Sequence, residues 1–433
     1  MPCRVVVSFP EGARPGGRVG SSAGAELLSP TAEGAPSALP HAEGSSSEGK
    51  PLALPQAEGS SSEGKPLALP QAEGSSPLLV DDAAIEAAVP AQGTLGLDTE
   101  FMRTDTFFPI PALYQIASEH GIALVDGQAD ASFDSLARAM TDPTRLKVMH
   151  SLSEDLEVID CHLGVLPQHV IDTQLAHAFV TPEYGVGYAA LVERHLGIAL
   201  AKHSTRSNWL RRPLSPEQLS YAREDVEYLL PVWERVGAEL ERLGRLDWAM
   251  EEMARLLVRR PPPEEHYRSV SGARRLSRRQ LAILRSLITW REREARRRDM
   301  PRAHLARDDA LFGLALNEHR SPSLDALPKG LRRRYGKALL QTHARGREDP
   351  SPPPRLPEPL SRRQGELATA LRNFAKACAE RLGMAPELLA RRRDMESCVL
   401  HWREHGDLPP WFGAWRESLL GDEFRRRLGG LPT

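Results

Sequence analysis

The 433-residue sequence predicts an α/β domain with a mixed sheet, preceded by a disordered N-terminal extension and followed by two all-α helical modules. Three observations lead to this prediction. Strand-like segments come first and then alternate with helix-like segments, which is the pattern of an α/β layer fold. Helical, arginine-rich sequence follows between two proline-rich breaks. The first 78 residues lack the apolar residues that a core requires.

The extension over residues 1–78 is a low-complexity sequence rich in Gly, Ser, Pro and Glu. A 15-residue unit begins at Ala42 and recurs from Ala57. This composition favours disorder over a solenoid. The short apolar run at the N-terminus is cut off at Pro10, so no signal peptide is expected. No stretch approaches the roughly 18–20 apolar residues of a membrane span, and we expect a cytoplasmic protein.

Period-two alternation predicts a first strand at residues 94–101, with further strands at 112–117 and 121–125. Because the link at 118–120 is short, these three strands should form an antiparallel meander. A fourth strand is expected at 145–150.

Helical periodicity fills the rest of this domain. The expected helices are residues 133–140, 154–163, 173–179, 188–196 and 216–243. Ser151 or Ser153 is the expected N-cap of the second helix. Ser215 and Gln218, which are three residues apart, predict a capping box at the start of the last helix, with Pro216 at the first helical position.

The charge distribution separates an acidic domain from a basic module. Residues 81–245 contain 13 Lys+Arg and 25 Asp+Glu, whereas residues 271–345 contain 19 and 7. A basic module suggests a polyanionic partner, although solvated arginine-rich helix faces would give the same count. The four cysteines include no Cys-x-x-Cys pair, so neither a zinc site nor a redox motif is indicated. They are Cys3, Cys161, Cys378 and Cys398.

Two acidic residues stand two positions apart on the first predicted strand. Asp98 and Glu100 therefore project from one face, where they repel each other unless a cation lies between them. Hard divalent ions such as Mg²⁺ accept such oxygen ligands. An exposed strand face would also carry such a pair, but the apolar flanks disfavour that interpretation.

Three further residues complete the constellation. Asp155 lies where the fourth strand gives way to a helix, and Tyr221 and Asp225 share one helix face because they are four residues apart. Each is ordinary by itself, since an acid in the first turn of a helix usually offsets the helix dipole. The order and spacing of all the acids together are more specific.

That order resembles the three exonuclease motifs of the DEDD superfamily, and the tyrosine is typical of its DEDDy subgroup. The surrounding residues resemble the ribonuclease D family: Asp98-Thr-Glu-Phe-Met-Arg-Thr, Ser153-Glu-Asp-Leu-Glu-Val, Asn208-Trp-Leu-Arg-Arg-Pro-Leu-Ser and Tyr221-Ala-x-x-Asp-Val-x-Tyr-Leu-Leu-Pro. The resemblance implies a ribonuclease H-like mixed sheet and a 3′→5′ exoribonuclease that releases 5′-mononucleotides. It also implies two divalent cations, Mg²⁺ or Mn²⁺.

The resemblance further implies a role for each of the five catalytic candidates. Asp98, Glu100 and Asp225 would hold one metal ion. Asp98 and the scissile phosphate would hold the second, which Asp155 would reach through a water. A tyrosine, with a free pKa near 10, is a poor general base, so Tyr221 is expected to orient the attacking water.

Other side chains are candidates for contacts with the substrate, and these are Phe101, Gln115, His150, Lys202 and Arg206. Ordinary packing explains the first three equally well, and an ordinary surface charge explains the last two. The loop that begins Phe107-Phe-Pro-Ile-Pro-Ala stands where the family has a leucine-rich stretch. The shape of this substrate-access loop is therefore left open.

The segments Ser277-Arg-Arg-Gln-Leu, Asp299-Met-Pro-Arg and Asp308-Asp-Ala-Leu-Phe-Gly resemble the HRDC domain of RecQ-type helicases and of ribonuclease D. Residues 360–425 resemble a second, more divergent copy, whose role could also be packing only. The expected domains are the extension 1–78, the exonuclease domain 79–262, an HRDC domain 270–348 and a second HRDC-like domain 358–430.

The expected partner is RNA with a free 3′ end, tRNA precursors included, and the expected state is a monomer without membrane contact. Two alternatives remain at this point. A DNA-directed 3′→5′ exonuclease would use the same carboxylates, although the HRDC-like modules and the segment 204–216 disfavour it. A catalytically inactive RNA-binding protein is the other, and the presence of all five key residues disfavours it.

Overall fold

The computed structural model describes residues 78–200, 207–257, 261–319, 321–325 and 327–430. All of these belong to one compact unit. The predicted disordered extension lies outside the described residues, apart from Leu78.

A five-stranded mixed sheet forms the centre of the first domain. Its strands are β1 (Leu95–Met102), β2 (Ile110–Ser118), β3 (Gly121–Asp126), β4 (Lys147–Met149) and β5 (Val170–Asp172). Their order is β3-β2-β1-β4-β5, with β1 to β3 antiparallel and with β4 and β5 parallel to β1. The predicted meander is confirmed. The fourth strand is shorter than expected: it begins two residues later, at Lys147, and it ends before the turn at Ser151, where φ is 57°.

Helices cover both faces of this sheet. They are α1 (Asp82–Ala88), α2 (Asp134–Thr141), α3 (Asp155–Leu163), α4 (Thr173–Val180), α5 (Tyr188–Leu196), α6 (Pro216–Glu227), α7 (Leu229–Arg242) and α8 (Leu246–Leu256). Leu95 and Leu97 of β1 pack with residues of α1, α2 and α3 on one face. On the other face, α6 lies against β1, β2 and β3.

The expected single helix over residues 216–243 is wrong, because the chain forms α6 and α7 with a break at Tyr228. Pro231 explains the break. It has no N–H to donate to the carbonyl of Glu227, and its ring would clash with that carbonyl. The start of α6 is as predicted, since Ser215 and Gln218 form the capping box.

The expected N-cap of the helix that carries Asp155 is also wrong. The residue at that position is Glu154, and it makes no side-chain capping bond. Ser151 instead donates its backbone N–H to Asp172. The loop is therefore ordered by a carboxylate from β5 and not by a serine hydroxyl.

Two helical modules complete the described chain. The first contains α9 (Arg278–Arg298), α10 (Arg302–Leu305), α11 (Asp308–Ala315) and α12 (Lys329–Arg347), and the second contains α13 (Arg362–Leu382), α14 (Arg392–His405) and α15 (Gly413–Leu428). In the first module α12 packs closely on α9. The contact is made at Gly346, where an added Cβ would lie only 2.6 Å from the Cα of Ile283. Within the described ranges, none of the helices has the length and apolar composition that crossing a membrane requires.

The two modules relate differently to the cores. Phe179 and Val236 of the first domain share one apolar cluster with Leu371 and Trp415 of the second module. The first module has a separate core. That core includes one residue of the first domain, Phe107, from the loop between β1 and β2.

Candidate active site

The strand β1 carries Asp98 and Glu100 on the face that α6 covers. Opposite them on β2 lie Gln115, paired with Asp98, and Leu113, paired with Glu100. Both acids are half-buried. The predicted placement of the two carboxylates on one strand face therefore agrees with the strand register.

The helix α6 brings Tyr221 and Asp225 to the same face of the sheet. The Tyr221 hydroxyl donates a hydrogen bond to the Asp225 carboxylate, as their four-residue spacing allows. The Tyr221 ring lies 6.0 Å from that of Trp209, centroid to centroid. The tyrosine is thus held against the carboxylates by α6 and by an aromatic neighbour.

Asp155 is the first residue of α3, and it is buried. The Thr99 hydroxyl donates to its Oδ1 over 2.5 Å. Thr99 belongs to β1, between Asp98 and Glu100. The bond therefore ties the third carboxylate to the strand that carries the first two.

Burial is the largest cause that raises the pKa of each of the four carboxyl groups, and the charges of neighbouring carboxylates add to it. For Asp98, burial comes first and the charges of Asp155, Asp225 and Glu100 follow, and its pKa lies well above the usual value. Burial, then the charges of Asp225 and Asp155, raises the pKa of Glu100 to about 8.

In the other two carboxyl groups a side-chain hydrogen bond opposes the effect of burial. Burial raises the pKa of Asp155 to about 6, against the lowering effect of the Thr99 hydroxyl. Burial, then the neighbouring Glu224, raises the pKa of Asp225 to about 7, against the lowering effect of the Tyr221 hydroxyl. When they are ionised, four neighbouring carboxylates concentrate negative charge, which bound protons or cations must offset.

Carboxylate oxygens are the ligands that hard divalent cations prefer, so the donor set fits such a cation in its chemistry. In the described part of the chain, no group of three or more His, Cys, Asp or Glu side chains is arranged to hold a metal ion. For these carboxylates to surround a cation, their side chains would have to rotate from the positions seen here.

Comparison with known proteins identifies the family to which the chain belongs. A family model described as a 3′-5′ exonuclease matches residues 81–241, and a model of the HRDC domain matches residues 280–342. Ribonuclease D of Pseudomonas paraeruginosa is 38% identical over 341 residues, which cover 76% of this chain and 90% of that protein. The chain belongs to the ribonuclease D family.

Further members support the same assignment. Ribonuclease D of Escherichia coli is 34% identical over 371 residues, covering 82% of this chain and 98% of the relative. The crystal structure of Escherichia coli RNase D, described as an exoribonuclease involved in structured RNA processing, matches with a TM-score of 0.77 and 31% identity. It covers 82% of this chain and 99% of that chain. This ribonuclease D family member is a 3′→5′ exoribonuclease with a mixed-sheet exonuclease domain and an HRDC domain.

Two residues near the site were not expected from sequence to matter in this ribonuclease D fold. Thr99 is one, since alternation places it on the opposite face from its acidic neighbours. Asp172 is the other, because its carboxylate accepts the backbone N–H groups of Ser151 at 3.0 Å and Leu152 at 3.2 Å. It thereby orders the loop that leads to Asp155. The sequence signal that could have found Asp172 is its position directly before the helix expected at residues 173–179, where it is the N-cap.

The predicted substrate contacts fall in varied surroundings. Phe101 packs on the β1 face opposite the acids. Gln115 is 0% exposed and offers no surface to a nucleotide in this conformation. His150 donates to or accepts from the Thr173 hydroxyl through Nδ1, at 2.9 Å, and its ring lies 5.6 Å from that of Tyr188.

The two predicted cationic contacts of this ribonuclease D family member, Lys202 and Arg206, lie outside the described residues.

Proposed function

We propose that Asp98, Glu100, Asp155 and Asp225 hold two divalent cations, Mg²⁺ or Mn²⁺, and that this site hydrolyses the 3′-terminal phosphodiester of RNA to release a 5′-mononucleotide. The observation that supports this most directly is the charge repulsion that Asp155 and Asp225 exert on the half-buried carboxylates of Asp98 and Glu100. When bound, two cations would lower the pKa of a water molecule and offset the charge on the phosphate.

Tyr221 acts as a hydrogen-bond donor in this proposal. Burial, followed by the charges of Asp225, Glu100 and Asp98, raises its pKa above the ordinary value. The phenol therefore keeps its proton at neutral pH. It orients the attacking water or a phosphate oxygen, and it does not remove a proton from either.

Asp155 contributes from the other side of β1. Its bond to Thr99 limits how far the carboxylate can turn, and Asp172 holds the loop before it. Asp155 is thereby kept near Asp98 without being a neighbour in sequence. We assign it the water-mediated contact with the second cation.

The substrate we propose is RNA with a free 3′ end, tRNA precursors included, and the enzyme acts as a cytoplasmic monomer. The arginine-rich sequence of the first helical module supports a polyanionic substrate, because released counterions favour binding of basic surfaces to phosphates. The described function of the Escherichia coli relative in structured RNA processing supports the same substrate class.

We also propose the domain boundaries 79–262, 270–348 and 358–430, with the last domain as a second HRDC-like bundle. The second bundle contains three helices. The capping box of Ser361 at the start of α13 matches the capping box of Ser277 at the start of α9 in the first bundle. Because the second bundle shares a core with the exonuclease domain, we propose that it stabilises that domain, in addition to any contact that it makes with RNA.

A side-by-side digestion tests the substrate class. Matched RNA and DNA strands, labelled at the 5′ end, are incubated with Mg²⁺, and a third RNA carries a blocked 3′ end. We expect stepwise shortening of the RNA with a free 3′ end, slower loss of DNA, and no shortening of the blocked RNA. Faster loss of DNA would overturn the proposal in favour of a DNA exonuclease. Binding of RNA without any shortening would indicate an inactive RNA-binding protein.

A further inference from the structure

The loop between β1 and β2 is held by the first helical module. Asp299 follows α9 directly, and its Oδ1 accepts the backbone N–H groups of Phe107 and Phe108, each over 2.9 Å. This loop begins three residues after Glu100, at Arg103, and contains the Phe-Phe-Pro segment in which the chain departs from the family pattern. A carboxylate of one domain thus fixes a loop of the other.

The backbone at the end of α9 fixes the position of Asp299. Its φ of 47° and ψ of 56° are left-handed, a conformation that Asp, Asn and Gly tolerate. Its own N–H donates to the carbonyl of Arg296 over 3.2 Å, and the N–H of Met300 donates to Ala295 over 3.0 Å. The helix end therefore presents the carboxylate to the loop.

Phe107 provides the second half of this contact. It is 7% exposed and lies in the core of the first module. The guanidinium carbons of Arg296 and Arg302 lie 5.0 and 4.6 Å from its ring centroid, within range of a cation–π interaction. Arg302 is fixed in turn, because its Nε donates to both carboxylate oxygens of Glu292, which is fully buried.

The same loop is tied to the exonuclease domain on its other side. Arg103 forms an ion pair of 2.6 Å with Glu157 of α3, the helix that begins at Asp155. Phe107 and Phe108 also line a cavity of about 600 Å³. Ser153, which lies two residues before Asp155 in the loop that leads to α3, also lines that cavity.

We propose that Asp299 is a positioning residue, which fixes the β1–β2 loop against the first HRDC domain and so fixes the part of the cavity lining that Phe107 and Phe108 provide. The HRDC domain then contributes to RNA affinity through this loop, in addition to its own basic surface. The effect on catalysis rests on the proposed function, whereas the two hydrogen bonds do not depend on it. Loosening the loop should weaken RNA binding and leave the chemical step almost unchanged.

Three variants separate this role from a loss of folding. Asp299→Gly removes the acceptor and keeps the left-handed backbone, and Asp299→Asn keeps both that backbone and one acceptor oxygen. Because Asp299 is exposed on its outer side, neither change leaves a buried charge without a partner. Asp325→Gly is the matched control, because Asp325 is an exposed loop residue of the same module.

Two measurements decide the proposal on the full-length protein. In hydrogen exchange followed by mass spectrometry, a peptide that spans Phe107 and Phe108 should exchange about tenfold faster in Asp299→Gly. Steady-state release of nucleotides from RNA should show KM raised at least about threefold with kcat within about twofold. Asp299→Asn should lie close to the wild type in both measurements, and Asp325→Gly should match it.

Unchanged exchange in Asp299→Gly would overturn the proposal, because the loop would then be fixed without this carboxylate. Faster exchange with an unchanged KM, or a loss confined to kcat, would also overturn it. If the wild-type protein releases no nucleotides from RNA, the proposed function fails. The exchange experiment would still decide whether Asp299 holds the loop.

Discussion

Thr99 and Asp155 are joined by a hydrogen bond of 2.5 Å, although they stand 56 positions apart in the sequence. Thr99 lies between Asp98 and Glu100 on β1, and its side chain points to the opposite face of the strand. One strand therefore presents two carboxylates on one face and holds a third carboxylate through the other. This relationship sets the distance at which the acids repel one another.

Replacing Thr99 by Val should raise the Mg²⁺ requirement of the enzyme. The Val side chain keeps the shape but cannot donate to Asp155, so the pKa of that carboxyl rises and its orientation is lost. We expect the Mg²⁺ concentration for half-maximal rate to increase about threefold to tenfold, the order that a lost bond to a charged group implies. Thr99→Ser, which keeps the hydroxyl, is the control. An identical Mg²⁺ requirement in Thr99→Val would remove this bond from the account.

Replacing Tyr221 by Phe should lower kcat by at least about tenfold with little change in KM. The phenol supplies one oriented donor, and removal of such a donor commonly costs a factor of this order or more. Single-turnover rates of nucleotide release provide the measurement. Tyr228→Phe, at the break between α6 and α7, is the control and should retain the wild-type rate. If Tyr221→Phe also retains it, the hydroxyl has no part in the reaction.

Without metal, the protein should lose stability as pH rises. The folded-state pKa values of Glu100, about 8, and Asp225, about 7, lie above the ordinary values of 4.5 and 3.8. The folded protein therefore retains protons that the unfolded chain releases, and this contribution is lost between about pH 4 and pH 8. Thermal unfolding in EDTA across this range should show a falling Tm, and Mg²⁺ should restore it at pH 8.

A variant isolates the cause of that pH dependence. Asp225→Asn removes one of the repelling charges, so it should unfold at a higher Tm than the wild type at pH 8 in EDTA. Asp105→Asn, at an exposed position of the β1–β2 loop, should leave Tm unchanged. Equal Tm values for Asp225→Asn and the wild type would contradict the repulsion that we infer.

We expect the buried amide of Gln115 to lower the stability of the folded protein. It is fully buried opposite Asp98, and neither polar atom of its amide has a hydrogen-bond partner among the described residues. Such a group costs about 1–3 kcal/mol of folding free energy. Gln115→Met, of similar size, should therefore raise Tm. Ile116→Met, on the other face of β2, serves as the control without a gain in Tm. A Gln115→Met protein that is less stable than the wild type would refute this view.

The parts of the fold that depend on local sequence could be predicted. The alternation along β1 correctly placed Asp98 and Glu100 on one face. The pattern Ser-Pro-x-Gln correctly located the start of α6, because a capping box joins residues three apart. The four-residue spacing of Tyr221 and Asp225 likewise predicted their common helix face, although not the hydrogen bond between them.

The parts that depend on contacts between distant segments could not be predicted. The bond from Thr99 to Asp155 and the role of Asp172 require the parallel arrangement of β1, β4 and β5, which period-two alternation does not specify. The contact between Phe107 and the end of α9 requires the packing of two domains. The break at Tyr228 is a different case, since Pro231 was visible in the sequence and its effect on the preceding turn was not taken into account.

The rate of mononucleotide release from one RNA, measured with increasing Mg²⁺ for the wild type and for Asp98→Asn, tests the carboxylate site most directly. We predict that the wild-type rate depends on Mg²⁺ and vanishes in EDTA. Asp98→Asn should lose at least about a thousandfold in rate, since Asp98 would contact both cations, and should still bind RNA in a gel-shift assay. Full activity in EDTA, or a near wild-type rate in Asp98→Asn, would contradict the account.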